Sequence, residues 1–107
     1  MWITPTTAPP GLVVRGELNH CAAPDLRTAL SDVTQVTAGD VHIDLAGVPH
    51  LSLDIARVLA TTAIELSTDQ RQLVVHQLAP HLVDMIRLLG WEQTPGLQVH
   101  EKSWRLR

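Results

Sequence analysis

Val41-His42-Ile43-Asp44-Leu45-Ala46-Gly47-Val48-Pro49-His50-Leu51-Ser52-Leu53-Asp54-Ile55 carries two hydrophobic periods in succession. Its first five residues alternate, which sends Val41, Ile43 and Leu45 to one face of a strand. Gly47 and Pro49 then interrupt the pattern, and Ile55, Val58, Leu59, Thr62, Ala63 and Leu66 recur at helical spacing, predicting a helix over about 53–67. Ser52 stands where that helix needs an N-cap, and Asp54 falls in its first turn, where the positive end of the helix dipole favours a carboxylate. A period of two that gives way to a period of 3.6 across a short loop is a strand-to-helix unit.

The same unit recurs on both sides. Upstream, Gly11-Leu12-Val13-Val14-Arg15-Gly16 is a β-branched run bounded by glycines. It is close enough to the β-formers Trp2, Ile3 and Thr4 to pair with them antiparallel, while Pro5, Pro9 and Pro10 forbid helix. Leu26, Ala29, Leu30 and Val33 then mark a helix from Ala22 to about Val36, with Pro24 and Asp25 near its start. Downstream, Gln72-Leu73-Val74-Val75-His76 predicts a strand. Pro80 to Leu89 predicts a helix that turns Leu82, Met85, Ile86 and Leu89 inward and stops at Gly90, and Leu97-Gln98-Val99-His100 predicts a last strand. The order β-β-α-β-α-β-α-β predicts an α/β domain: a mixed sheet of four to five strands, an N-terminal β-hairpin and three or so helices. Strand-helix-strand alternation implies parallel pairing through right-handed crossovers. The pattern leaves open whether the helices share one face of the sheet or divide between two.

At 107 residues the chain fits one domain and has no room for a second core. Residues 1–107 are read as that domain, with a core of about 11–100, a short edge strand and turn over 1–10, and a basic tail over 101–107. Hydrophobic residues make up 45% and the net charge is −3, far from the composition of a disordered segment. The acidic balance argues against nucleic acid as a partner, because Lys102, Arg105 and Arg107 gather only in the tail. Cys21 is the single cysteine, so no internal disulfide forms and a reducing, cytoplasmic compartment is expected. No run is long and apolar enough to insert in a membrane, and the N-terminal residues do not read as a signal peptide.

Catalytic motifs are missing from the sequence. The histidines, His20, His42, His50, His76, His81 and His100, show no metal-ligand spacing and are read as dispersed surface or loop residues, so no metal is expected. There is no nucleophile elbow and no phosphate-binding glycine loop, so no cofactor and no enzymatic activity are expected. Cys21 near a helix start is read as a buried, inert side chain. The junction around Ser52 and Asp54 is what stands out, because helix N-termini present amides that no residue of the same helix can satisfy.

Val13-Val14-Arg15-Gly16-Glu17-Leu18-Asn19 resembles the strand of STAS domains that ends in Gly-Glu-Leu-Asp, and Ala23-Pro24-Asp25-Leu26 resembles the helix start that follows it. His42-Ile43-Asp44-Leu45-Ala46-Gly47-Val48 is similar to the strand ending in Asp-Leu-Ser-x-Val. Gln72-Leu73-Val74-Val75, Pro80-His81-Leu82-Val83 and Leu88-Leu89-Gly90 resemble the later strand and helix. The resemblance, spread from about Leu12 to Val99, is to bacterial anti-sigma-factor antagonists. It implies a regulatory protein of signal transduction and transcription control that binds an anti-sigma factor of the serine-kinase type or a related regulator.

Members switched by phosphorylation carry Asp-Ser-Ser-Gly after the central strand, and the second serine receives the phosphate. The corresponding residues here are Ser52-Leu53-Asp54-Ile55, which makes Asp54 the phosphoacceptor equivalent. It has no hydroxyl, and its single charge is below the about −1.5 to −2 of a phosphate. The resemblance therefore implies no phospho-switch at that position, with Ser52 the alternative acceptor although its hydroxyl is expected to cap the helix. Ile55 replaces the glycine and is expected to change the contact surface, and Asn19 replaces an aspartate. The implied partner-binding residues are Asn19, His20, Leu51, Ser52, Leu53, Asp54, Ile55 and Arg57, with Leu51 and Leu53 expected to be exposed. A non-signalling STAS subunit of a lipid-transport ATPase complex is the alternative reading, and a small-ligand or nucleotide binder is disfavoured by the missing phosphate loop.

Overall fold

The computed structural model describes residues 2–7, 10–16, 18 and 20–101. Five strands and three α-helices alternate in the expected order: β1 (Trp2–Thr7), β2 (Pro10–Arg15), α1 (Ala23–Val36), β3 (Val41–Gly47), α2 (Leu53–Ser67), β4 (Leu73–Leu78), α3 (Pro80–Leu88) and β5 (Leu97–Glu101). Short 3-10 turns at His20–Ala22 and Trp91–Gln93 complete the described elements, and Cys21 in the first of them is exposed, contrary to the buried position expected for it. The basic tail from Lys102 onward and Asn19 lie outside the described residues.

The strands form one sheet in the order β1-β2-β3-β4-β5. β1 pairs with β2 antiparallel, from Trp2 opposite Arg15 to Thr7 opposite Pro10. The remaining pairs are parallel. Pro5 lies inside β1, and an edge strand tolerates a proline because one of its sides needs no amide donors. Each parallel step moves in the same direction across the sheet, so right-handed crossovers place all three helices on one face. The sequence left that choice open, and strand order settles it.

Burial follows from this one-sided arrangement. Val41, Ile43 and Leu45 are buried, whereas the alternating His42, Asp44 and Ala46 are half-buried. Leu12, Val14, Leu73 and Val75 from the neighbouring strands join the first set, and Leu26, Leu30, Ile55, Leu59, Ala63 and Leu66 close over it from α1 and α2. Each fully buried Leu, Ile or Val contributes about 1.5–3 kcal/mol. The core is aliphatic throughout, and among the described residues no buried side-chain polar atom lacks a hydrogen-bond partner.

Two helix ends have clear causes. Gly90, at φ 72°, takes the left-handed conformation that stops α3, and its amide donates to the Arg87 carbonyl at 3.0 Å. Because α3 ends at Leu88, Leu89 falls outside the helical phase and is 43% exposed, contrary to the inward position expected for it. Val83 is buried in α3 together with Leu82 and Ile86. At the end of α1 the Arg71 guanidinium reaches over to the carbonyls of Thr34, at 3.2 Å, of Thr37, and of Gly39, at 2.8 Å. It satisfies acceptors that the helix itself leaves over.

Candidate functional site

The C-terminal ends of β2 and β3 and the start of α2 meet at one lip of the sheet. Parallel strands direct their carboxyl ends to the same side, and crevices outside those ends are where open α/β sheets place their binding surfaces. Three backbone bonds hold the lip together: the Gly16 amide to the Gly47 carbonyl at 3.0 Å, the Leu18 amide to the His50 carbonyl at 3.2 Å, and the Ser52 amide to the Leu18 carbonyl at 2.9 Å. Leu18 and Leu51 form an isolated parallel bridge.

Ser52 is the N-cap of α2. Its Oγ accepts from the Ile55 amide at 3.4 Å and its carbonyl accepts from the Ala56 amide at 3.1 Å. The cap expected from the sequence is therefore present, and Ser52 is half-buried. Asp54, one residue into the helix, is exposed, as is Arg57 one turn further on. Leu53 is 53% exposed. A large apolar side chain, a carboxylate and a guanidinium thus share the exposed start of one helix.

Two expectations are corrected. Leu51 is only 7% exposed, because its bridge to Leu18 turns the side chain inward. Ile55 is 0% exposed, so the bulk that replaces a glycine there becomes part of the core and leaves the outer surface unchanged. His20 opens the 3-10 turn before α1, and its side chain, like all of Asn19, lies outside the described residues. Of the sequence-derived residues, Leu53, Asp54 and Arg57 form the outer surface, Ser52 its cap, and Leu51 and Ile55 its support.

Sequence reasoning missed the contribution of α3. His81 Nε2 donates to the Pro49 carbonyl at 2.8 Å, and the His50 and His81 rings meet edge to face at 6.0 Å. The first turn of α3 is thereby fastened to the loop between β3 and α2. No local signal in the sequence links residues 32 positions apart.

A second group lies on the open sheet face. His42 on β3, His76 on β4 and His100 on β5 stand side by side, with ring centroids 5.0 and 5.5 Å apart and planes within 15° and 11° of parallel. Their expected dispersal is corrected: sheet register, absent from any local pattern, collects them. His42 Nδ1 and His76 Nε2 are 2.7 Å apart and hydrogen-bonded. Asp44 beside them accepts from the Ala46 amide at 2.9 Å and from the Gln77 side-chain amide at 3.2 Å. Among the described residues no group of three ligating side chains is arranged to hold a metal ion, and no helix is long and apolar enough to cross a membrane.

A sequence family described as "Mlab, STAS domain" matches residues 3–99. Two solved structures are similar in fold. One is a candidate anti-sigma factor antagonist from Thermotoga maritima, with a TM-score of 0.73, 10% identity, and 94% of this chain and 85% of that chain covered. The other is the Bacillus cell fate determinant SpoIIAA in its phosphorylated form, with a TM-score of 0.63, 14% identity, and coverage of 83% and 79%. No curated protein matches the sequence.

Proposed function

This chain belongs to the STAS domain family, and from that membership we propose that it is a regulatory binding module of the anti-sigma-factor antagonist type. It docks a partner on the lip at the start of α2, in the cytoplasm, and catalyses no reaction. Its partner is an anti-sigma factor of the kinase type or a related regulator.

The single observation that carries this reading is the joint exposure of Leu53, Asp54 and Arg57 on the first turns of α2. An exposed leucine rimmed by charges of both signs has the make-up of a small protein-binding patch, in which the apolar centre supplies affinity and the rim supplies orientation. The fold shared with the candidate antagonist from Thermotoga maritima and with SpoIIAA supports the same assignment. Asp54 stands where switchable members carry their phosphoacceptor serine. The patch therefore keeps a carboxylate at that point, and partner occupancy is set by abundance and not by phosphate.

The test is a titration calorimetry series with the anti-sigma factor encoded nearest to this chain. Wild type binds, and Leu53→Ala, Asp54→Ala and Arg57→Ala each change the affinity. Equal binding by all four proteins removes the assignment of this surface. Co-purification with the ATPase subunit of a lipid transporter, and with no sigma-pathway protein, replaces the signalling reading with the transport one.

A further inference from the structure

We propose that His42, His76 and His100 form a proton-sensitive clasp on the open sheet face, which tolerates one shared proton and is forced apart by a second, so that acidification loosens the β3-β4-β5 half of the sheet. An imidazole nitrogen either donates through an N–H or accepts through a lone pair. His42 Nδ1 and His76 Nε2 face each other at 2.7 Å, so one of them must donate and the other accept. The neutral pair meets that condition, and so does the pair with one added proton, which then sits on a charge-assisted bond. A second proton leaves two N–H groups pointing at each other with no acceptor between them. His100 stacks on the far side of His76 at 5.5 Å and adds like charge when it ionises.

Among the described residues the surroundings offer little compensation. On β3, Asp44 is the carboxylate nearest the pair, and both of its oxygens already accept hydrogen bonds, from the Ala46 amide and from Gln77. A cleft of about 340 Å³ flanks the clasp between Thr6, Val13, His42, Asp44 and His76, so β1 and β2 bring no titratable group to it. Asp40 lines the neighbouring groove that His42 also borders, and its Oδ1 accepts from the Gln72 amide. Gln98 Oε1 is 3.3 Å from His100 Nε2 on β5. Among the described residues no helix packs over this face.

The His76 imidazole is held below the ordinary histidine value of 6.5, first by burial and then by His42 and His100, against a smaller opposing pull from Asp44. The folded state therefore binds fewer protons than the unfolded chain between the lowered value and 6.5. Stability is fully present above 6.5 and is lost as pH falls through the folded value.

The experiment follows the imidazole resonances of the full chain by NMR from about pH 8 to about pH 5, alongside urea unfolding of wild type, His76→Gln and His81→Gln. The His42 and His76 signals are expected to move together in two separate steps, as coupled sites do. The unfolding equilibrium constant of wild type is expected to rise several-fold more over that range than that of His76→Gln, with His81→Gln following wild type. Independent single-step titration of His42 and His76 overturns the proposal, as does the same pH dependence in wild type and His76→Gln. Should His76→Gln fail to fold, the wild-type titration decides by itself.

Discussion

The Ser52 amide donates to the Leu18 carbonyl at 2.9 Å, joining the residue that caps α2 to the segment that follows β2. One strand exit is thereby tied to the next helix start, and the exposed face of α2 is positioned by a buried neighbour.

Leu18 is 1% exposed and Leu53 is 53% exposed, so alanine at the two positions separates the support of the lip from its surface. Leu18→Ala removes buried methyl groups and is expected to cost about 2–5 kcal/mol in urea unfolding. Leu53→Ala is expected to stay within about 0.5 kcal/mol of wild type. A loss of binding in Leu53→Ala then reports a lost contact and not a lost fold.

Asp54→Ser restores a hydroxyl on the exposed first turn of α2, beside helix amides suited to an anion. Incubated with a kinase-type anti-sigma factor and ATP, this variant is expected to gain one phosphate by mass spectrometry while wild type gains none. Phosphate on the wild-type chain would contradict the absence of a switch, and its location would distinguish Ser52 from the rest.

Arg71 bonds the carbonyls of Thr34, Thr37 and Gly39, and the last turn of α1 carries no basic residue of its own. Arg71→Ala is expected to lower stability by about 1–3 kcal/mol, the range for acceptors left without a donor. Arg71→Lys is expected to recover less than half of that, because an ammonium cannot reproduce the planar fork. Urea midpoints at constant slope measure both.

Gly96 and Gly39 give opposite expectations for the same substitution. At Gly96 φ is +77°, and an added Cβ would lie 2.3 Å from the Ala63 carbonyl oxygen; at Gly39 nothing lies within 4 Å of the added atom. Gly96→Ala is expected to cost more than about 1 kcal/mol, and Gly39→Ala to be neutral or to stabilise by up to about 1 kcal/mol through the unfolded state. Thermal unfolding of the two variants side by side checks the contrast.

Most of the architecture was legible locally. The alternation of Val41, Ile43 and Leu45, the helical spacing from Ile55 to Leu66 and the stop at Gly90 are short-range patterns, and the elements formed at those places. Of the site, the Ser52 cap and the exposure of Leu53 and Asp54 were legible for the same reason: a helix start is set by its own few residues. Leu51 was misjudged because its burial depends on Leu18, a residue on another segment.

The order of strands and helices, the aliphatic core and the carboxylate at position 54 can be read along the chain, since they rest on side-chain period, composition and identity. Packing in three dimensions placed all the described helices on one face and let His81 fasten α3 to Pro49. It also decided that three histidines far apart along the chain line up across β3, β4 and β5. Strand order and register are long-range choices made by packing, and a residue's own neighbours in sequence carry no record of them.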